Sequence, residues 1–219
     1  MRASKYGNVL TVILVVLIIA IVIGVGLLIY NYVIKPRIED NRSIEAIAEF
    51  DRNIEENNQE SEESSSNMIA PSEGDSSSGT AKKKTYYQGF VMLGYITIPK
   101  TNVKEPILDT VTPDSLNAAV AALYPSNPQL NQPGNVVIVG HNYRNGKFFS
   151  DNKKLSVGDK IMIKDNSGTE LTYTIYKKFE TSETDTSFYT RNTNGVAEIT
   201  LSTCTDDSKA RIIILAKAD

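Results

Sequence analysis

The feature that most constrains this chain is an apolar run near its start. Val9 to Ile29 comprises 21 residues without a charge, which is long enough to cross a bilayer as a helix. A cleaved signal peptide has a shorter apolar segment that ends in a small-x-small cleavage site. Here the segment Tyr30 to Val33 follows instead. We therefore predict an uncleaved signal-anchor over residues 9–30.

Charged residues flank the apolar run on both sides. Arg2 and Lys5 precede it, and Lys35 and Arg37 follow it, so the positive-inside rule barely discriminates between the two orientations. A short basic N-terminus normally stays in the cytoplasm. We predict a single-pass protein of the cell membrane, with residues 1–8 in the cytoplasm and the C-terminal domain outside.

Charge is distributed unevenly along the chain. Residues 1–37 carry +4, residues 38–80 carry −10 and residues 81–219 carry +3, within a net charge of −3. The C-terminal part is therefore only mildly basic and shows no stripe of the kind that binds nucleic acid. A single cysteine in the chain excludes an internal disulfide.

Between the apolar run and residue 85 the composition indicates a stalk and a linker. Residues 43–58 carry a thin apolar stripe at helical spacing, including Ile44, Ile47 and Ile54. We interpret them as a solvated stalk helix, because the stripe covers too few heptads for a dimerising coil. Residues 59–80 are rich in Ser and Glu and are expected to form a disordered tether. The predicted domains are a stalk at 31–58, a linker at 59–84 and a catalytic domain at 85–219.

The C-terminal domain has the pattern of a series of short strands. Apolar or alternating runs separated by turn residues occupy residues 89–98, 103–108, 135–140, 158–165, 169–179, 199–204 and 211–215. A short helix is expected, capped at Thr112, followed by Pro113 and continuing through Leu123, and a short helical turn is expected over residues 150–155. Seven or eight short strands with small helical inserts predict an all-β fold closed into a barrel.

Three residues capable of chemistry lie at the ends of these strands. Cys204, the only cysteine, ends one strand; Arg211 begins the next; and His141, the only histidine, follows another. If the last two strands pair as a hairpin, Cys204 and Arg211 face each other across its open end. A thiolate nucleophile needs nearby positive charge and some exposure, and an imidazole can carry the proton. Taken singly, a lone cysteine is more often an apolar filler, but the combination is hard to explain that way.

The residues around this trio resemble a family signature. Residues 200–204 read Thr-Leu-Ser-Thr-Cys, with Arg211 downstream and Gly-His-Asn at residues 140–142 upstream. The pattern resembles that of the sortases, the cysteine transpeptidases of Gram-positive cell surfaces, and the similarity extends from about Phe90 to the C-terminus. The resemblance implies an eight-stranded β-barrel, in agreement with the strand pattern.

The resemblance also implies roles for individual residues. Cys204 would attack the threonine carbonyl carbon of a sorting signal such as Leu-Pro-x-Thr-Gly, and His141 would protonate the leaving amine and later deprotonate the incoming one. Arg211 would hold the substrate or stabilise the oxyanion. Thr203 and Asn142 are the further candidates for the substrate and oxyanion environment. Two acids that follow the cysteine at 206 and 207 are interpreted as part of a solvated loop.

The implied partners are surface proteins that bear a C-terminal sorting signal, with an amine of the cell wall or of a pilin as the acceptor. Within the family, class B members carry a long helical insertion, and only nineteen residues separate Phe179 from Ile199 here. Pilin-assembling members carry an Asp-Pro-aromatic lid, and no such tripeptide occurs. A class A-like or class D-like enzyme is therefore expected.

The same residues are compatible with other functions, and a metal site is a separate question. A cysteine peptidase would use the same thioester, and a membrane-tethered binding protein would carry an inert Cys204. An L,D-transpeptidase needs glycine where Thr203 stands. One histidine and one cysteine nearly exclude zinc. Some sortases bind calcium, for which Glu183 and Asp185 are the candidate ligands; without an EF-hand pattern, we predict no cofactor.

Overall fold

The computed structural model describes residues 5–66 and 83–219. The chain divides into two compact units, Met1–Ile44 and Glu45–Asp219. The first contains helix α1 (Lys5–Ile29) and a π-helical segment, Tyr30–Ile34. Within α1, Leu10–Ile29 is long and apolar enough to cross a membrane, with a mean hydropathy of 3.6.

Helix α2 (Lys35–Ser66) is longer at both ends than the helix expected from the sequence. The tether prediction is wrong for residues 59–66, which continue the helix. Glu and Gln, which supply half of the residues from 59 to 66, are good helix formers. The remainder of the predicted tether, residues 67–80, lies outside the described residues.

Among its described residues, 45–66 and 83–219, the second unit contains nine strands and one further α-helix. In chain order they are β1 (Tyr86–Tyr87), β2 (Phe90–Ile98), β3 (Val103–Leu108), α3 (Pro113–Ala118), β4 (Val120–Tyr124), β5 (Gly134–Val139), β6 (Lys160–Asp165), β7 (Glu170–Thr181), β8 (Ala197–Cys204) and β9 (Arg211–Ala218). The strand order is β1-β2-β3-β4-β5-β8-β9-β7-β6, and β6 pairs back onto β2. Strands β2 to β9 therefore form the closed eight-stranded barrel that was predicted, with β1 outside the ring.

Alternation along the strands places one set of side chains inside the barrel. This interior cluster is largely branched aliphatic and includes Ile96, Ile98, Ile107, Ile138, Ile161, Ile163, Ile175, Ile199, Leu201 and Ile214. Strands β5 and β8 run parallel to each other and are buried on both faces, because the loop between β7 and β8 covers part of their outer surface. Phe188 of that loop packs with Val137, Ile213 and Leu215 there.

The helix expected through Leu123 is corrected by the structure. It ends at Ala118, and Ala119 is already extended, with φ −158° and ψ −168°. The next residues form β4, which pairs parallel to β3 and antiparallel to β5. Alanine has the highest helix propensity, but Val120 and Ala121 are fully buried in the sheet. Tertiary pairing outweighs the local preference here.

The apolar stripe of α2 packs on the barrel, so the expectation of a solvated stalk helix is wrong for residues 46–54. Buried side chains on this part of the helix join others from β1 to β4 in a second cluster, formed by Ala46, Ile47, Phe50, Ile54, Tyr87, Met92, Tyr95, Leu108, Ala118, Ala119 and Ala121. Asp51 accepts a 2.7 Å hydrogen bond from Lys164, and Asn53 donates one of 2.8 Å to Thr85. The helix covers apolar residues on the outer surface of the barrel that would otherwise face water.

Candidate active site

The pairing of three strands brings Cys204, Arg211 and His141 to one edge of the barrel. Cys204 ends β8 and lies directly opposite Arg211, the first residue of β9. Strand β5 pairs with β8 up to Val139 and Ser202, and the Gly140 N–H donates to the Ser202 carbonyl oxygen at 3.2 Å. This pairing brings His141, the next residue, alongside the end of the cysteine strand.

The thiol of Cys204 lies on the outer face of the barrel. Ile199 and Leu201 belong to the interior cluster, and Thr200 contacts the loop outside, so alternation directs Cys204 outward. Arg211 shares this face, since residues directly opposite each other in an antiparallel pair point to the same side. Cys204 is a free, half-buried thiol. It therefore combines partial exposure with a neighbouring guanidinium, the two conditions for a reactive thiolate.

The guanidinium of Arg211 contacts the β7–β8 loop and the residue that precedes it in the chain. Its Nη2 lies 3.5 Å from a carboxylate oxygen of Glu183, and its Nη1 donates to the Ala210 carbonyl oxygen at 3.3 Å. Burial raises the pKa of the nearby Tyr189, and the positive charge of Arg211 opposes that shift. The guanidinium therefore lies between the loop and the cysteine strand, where it can donate to a substrate oxygen.

Asn142 joins the histidine loop to the end of the cysteine strand. Its Nδ2 donates to the carbonyl oxygen of Cys204 at 3.0 Å and to the Asp206 carboxylate at 2.9 Å. Its Oδ1 accepts from the backbone N–H of Arg144 at 3.0 Å. The side chain of Asn142 therefore holds the backbone that carries the thiol.

Asp206 completes this connection between the two loops. Its second carboxylate oxygen lies 2.6 Å from Lys153 Nζ. Hydrogen bonds from Lys153 and then Asn142 lower the pKa of Asp206. The sequence indicated a merely solvated loop here; the structure shows a carboxylate that joins both loops, with half of its side chain exposed. The spacing of acid and cysteine gave the only sequence signal.

Thr203 lies on the opposite face of the strand from Cys204. It is only 3% exposed, and its Oγ1 has no hydrogen-bond partner among the residues that the structure describes. The hydroxyl of Thr203 is therefore buried rather than aimed at the surface that carries the thiol.

Gly140 permits the close approach of the histidine strand to its neighbours. A Cβ at this position would lie 2.8 Å from a side-chain atom of Phe149 and 2.8 Å from one of Val120. Real Cβ atoms do not approach so closely, so any larger residue would displace these buried side chains or the backbone that leads into His141. The sequence analysis noted this glycine only as part of the signature.

A polar network that the sequence analysis missed holds the β7–β8 loop against the outer face. Arg191 Nη1 donates to Thr200 Oγ1 at 2.8 Å and to the Phe188 carbonyl oxygen at 3.0 Å. Its guanidinium also pairs with Glu198 at 2.6 Å. Asn135 Nδ2 donates to the Tyr189 carbonyl oxygen at 2.9 Å. Thr200, the first residue of the signature, therefore anchors the loop that carries Glu183.

The candidate calcium ligands are engaged elsewhere. Glu183 contacts Arg211, while Asp185 accepts hydrogen bonds from Thr181 Oγ1 at 2.5 Å and from the Ser187 N–H at 2.8 Å. Within residues 5–66 and 83–219, no group of three or more His, Cys, Asp or Glu residues is arranged to hold a metal ion.

The arrangement provides the parts needed for acyl transfer. Cys204 can attack a carbonyl carbon, His141 can give and take the proton, and Arg211 can donate hydrogen bonds to an oxyanion. Each part lies at the end of a barrel strand, so the barrel sets their separation.

Comparisons with known proteins concern the domain that carries these residues. A family model described as the Sortase domain matches residues 96–219. Sortase A of Bacillus anthracis is 32% identical over 126 residues, and the match covers 56% of this chain and 58% of the relative's length. The chain thus spans less than two thirds of that relative.

Solved structures show the same fold. A Sortase D5 transpeptidase of Clostridium perfringens superposes with a TM-score of 0.60 at 25% identity, covering 82% of this chain and 99% of that chain. Sortase A of Listeria monocytogenes superposes with a TM-score of 0.53 at 23% identity, covering 58% and 87%. Since the Sortase domain model matches more than half of the residues, this chain belongs to the sortase family.

Proposed function

We propose that this protein is a membrane-anchored cysteine transpeptidase that cleaves a Leu-Pro-x-Thr-Gly-like sorting signal. The observation that carries the proposal is the direct pairing of Cys204 with Arg211 at the barrel edge that the histidine strand also reaches. Membership of the sortase family supports the same chemistry. Helix α1 supports the anchoring. The proposal has the catalytic domain outside the cell.

The reaction proceeds in two acyl-transfer steps. The thiolate of Cys204 attacks the threonine carbonyl carbon, and Arg211 stabilises the oxyanion that forms. The Thr–Gly bond breaks, His141 protonates the leaving amine, and the acyl group remains as a thioester. An incoming amine then attacks the thioester carbonyl, its proton passes to His141, and the thiolate leaves. A surface protein is thereby joined to an amine of the cell wall or of a pilin.

Within the family, we propose a class D-like enzyme ahead of a class A-like one. The match to the Clostridium perfringens Sortase D5 transpeptidase covers 82% of this chain, a share larger than residues 83–219 can account for. The match to the Listeria monocytogenes sortase A covers 58%. The match to the Sortase D5 transpeptidase therefore includes residues that precede the barrel. In this chain, part of α2 precedes the barrel and packs on it.

The test uses the full chain in detergent micelles, incubated with Leu-Pro-x-Thr-Gly peptides in the presence and absence of an oligoglycine amine. Intact-mass spectrometry should show the thioester on wild-type protein and none on Cys204→Ala, and the peptide–amine product should form only with wild type. Hydrolysed peptide alone, even at high amine concentration, would indicate a peptidase. Absence of both products and of the thioester across a peptide library would indicate a binding protein.

A further inference from the structure

An aromatic side chain lies against the imidazole of the proposed acid–base residue. Tyr143 follows His141 by two residues in the loop between β5 and β6, and its ring centroid lies 5.0 Å from that of the imidazole at an interplanar angle of 42°. This is the range in which aromatic rings are in contact. Nothing in the sequence pattern singled out Tyr143.

The side chain of Tyr143 is held by two contacts, and its backbone by a third. Its hydroxyl donates to Asn117 Oδ1 on α3 at 2.7 Å, and its backbone N–H donates to Ser150 Oγ at 3.0 Å. The ring packs on that of Phe148 with centroids 5.7 Å apart, and Phe148 is only 6% exposed. Tyr143 is therefore fixed in place although part of its surface faces solvent.

The element that supplies the hydroxyl acceptor is also well fixed. Helix α3 begins with a capping box in which Thr112 and Ser115 exchange hydrogen bonds of 3.1 and 2.8 Å. Ser115 is fully buried, and Ala118 packs in the cluster that includes α2. Asn117 lies between these two residues, so the tyrosine hydroxyl is bonded to a rigid part of the fold.

His141 has few other restraints on its ring. Its backbone carbonyl oxygen accepts from the Phe149 N–H at 3.2 Å, which positions the main chain. Among the described residues, no hydrogen bond to the imidazole itself is found. The ring can rotate about two side-chain torsions, and a proton-transfer group must point at the reacting atom in order to work.

We propose that Tyr143 is a positioning residue that holds the imidazole of His141 in the orientation required for proton transfer. Asn117 acts through it by anchoring the hydroxyl. The proposal rests on the proposed transpeptidase function, because it assigns His141 the proton-transfer step. It extends that function by linking the histidine, through Tyr143, to helix α3.

Four single variants of the full chain, and one double variant that combines Tyr143→Phe with Asn117→Ala, test this proposal. Tyr143→Leu removes the ring, Tyr143→Phe keeps the ring and removes its hydroxyl, and Asn117→Ala removes the acceptor. Tyr86→Leu is the matched control, since this tyrosine is 56% exposed and lies on β1 outside the barrel ring. Displacement of a reacting group by about 1 Å costs on the order of 10²-fold in rate.

In steady-state transpeptidation, we expect Tyr143→Leu to lower kcat by roughly tenfold to 10²-fold with little change in KM. Tyr143→Phe and Asn117→Ala should lose less, and the double variant should lose no more than either single change, because both remove one hydrogen bond. Tyr86→Leu should behave as wild type. An effect confined to KM would mean that Tyr143 contacts substrate, and a kcat within about twofold of wild type would overturn the proposal.

A second readout is independent of activity. His141 is the only histidine, so a chain labelled with ring-¹³C histidine shows one imidazole by NMR. Its ring signals should shift in Tyr143→Leu, which loses the aromatic neighbour, and shift little in Tyr143→Phe. Unchanged signals in Tyr143→Leu would overturn the proposal. If that variant does not fold, signals and kcat of Asn117→Ala that both match wild type would do so. Failure of the proposed function would appear instead as wild-type protein that forms no thioester.

Discussion

Replacement of Phe50 by alanine tests whether α2 is part of the folded enzyme or a separate stalk. Phe50 lies on the helix face that packs on the barrel and is only 2% exposed. Its ring meets that of Tyr95 edge to face, with centroids 6.0 Å apart and an interplanar angle of 79°. Met92 and Leu108 of the barrel belong to the same cluster. Truncation would leave a cavity between the helix and the barrel.

A helix packed on the barrel and a solvated helix predict opposite signs for the change in stability that Phe50→Ala causes. Removal of a buried phenylalanine costs about 3–5 kcal/mol. In a unit of this size each kcal/mol lowers Tm by about 2–4 °C, so Phe50→Ala should lower it by roughly 6–20 °C. On a solvated helix the same change would gain roughly 0.5 kcal/mol, because alanine has the higher helix propensity.

The assay is thermal unfolding of the full chain in detergent, followed by near-UV circular dichroism. The chain has 11 tyrosines and no tryptophan, so the signal reports tyrosine packing, largely in the barrel unit. Glu49→Ala is the control, because Glu49 is exposed and immediately precedes Phe50 on the same helix. A Tm for Phe50→Ala equal to or above that of Glu49→Ala would refute the docked helix.

Three further predictions concern the site. Arg211→Lys keeps the charge but loses the planar fork of donors; turnover should fall by about 10²–10³-fold while the rate of Cys204 alkylation changes little, and a parallel collapse of both would contradict the assignment. Gly140→Ala should cost about 1–3 kcal/mol through overpacking and lower kcat, and unchanged melting and turnover would contradict the close approach. Asp206→Asn should lower turnover by a constant factor at every pH above about 4. Because the pKa of Asp206 is lowered, its carboxylate keeps its charge and its contacts until the pH falls through that depressed value. If the decline of turnover on the acidic side of the pH profile moves in the variant at a pH above about 5, this reasoning is contradicted.

The sequence alone was sufficient for the features that depend on local pattern. An uncharged run of 21 residues is enough to predict a membrane-spanning helix, because bilayer thickness sets the length required. Alternation and turn residues predict most of the strands, and the strand ends place Cys204 and Arg211 opposite each other if the last two strands pair as a hairpin. These inferences need only neighbours in the chain.

The features that the sequence predicted wrongly, or did not predict, have a different origin. Each of them depends on contacts between residues far apart in the sequence. The alanines of β4 favour a helix until β3 and β5 pair with them. The stripe of α2 shows an apolar face but not the surface that it covers; its contact between Asp51 and Lys164 spans 113 residues.

The residues that hold the candidate site in place also depend on partners far away in the sequence. The bond from Asn142 to the Cys204 carbonyl oxygen spans 62 residues, and that from Tyr143 to Asn117 spans 26. Polar side chains such as these are common in loops, and their partners are decided only when the barrel closes. The sequence thus determined which residues are the candidates for the chemistry, whereas the tertiary structure decided which residues hold them, because orientation depends on contacts that no local pattern encodes.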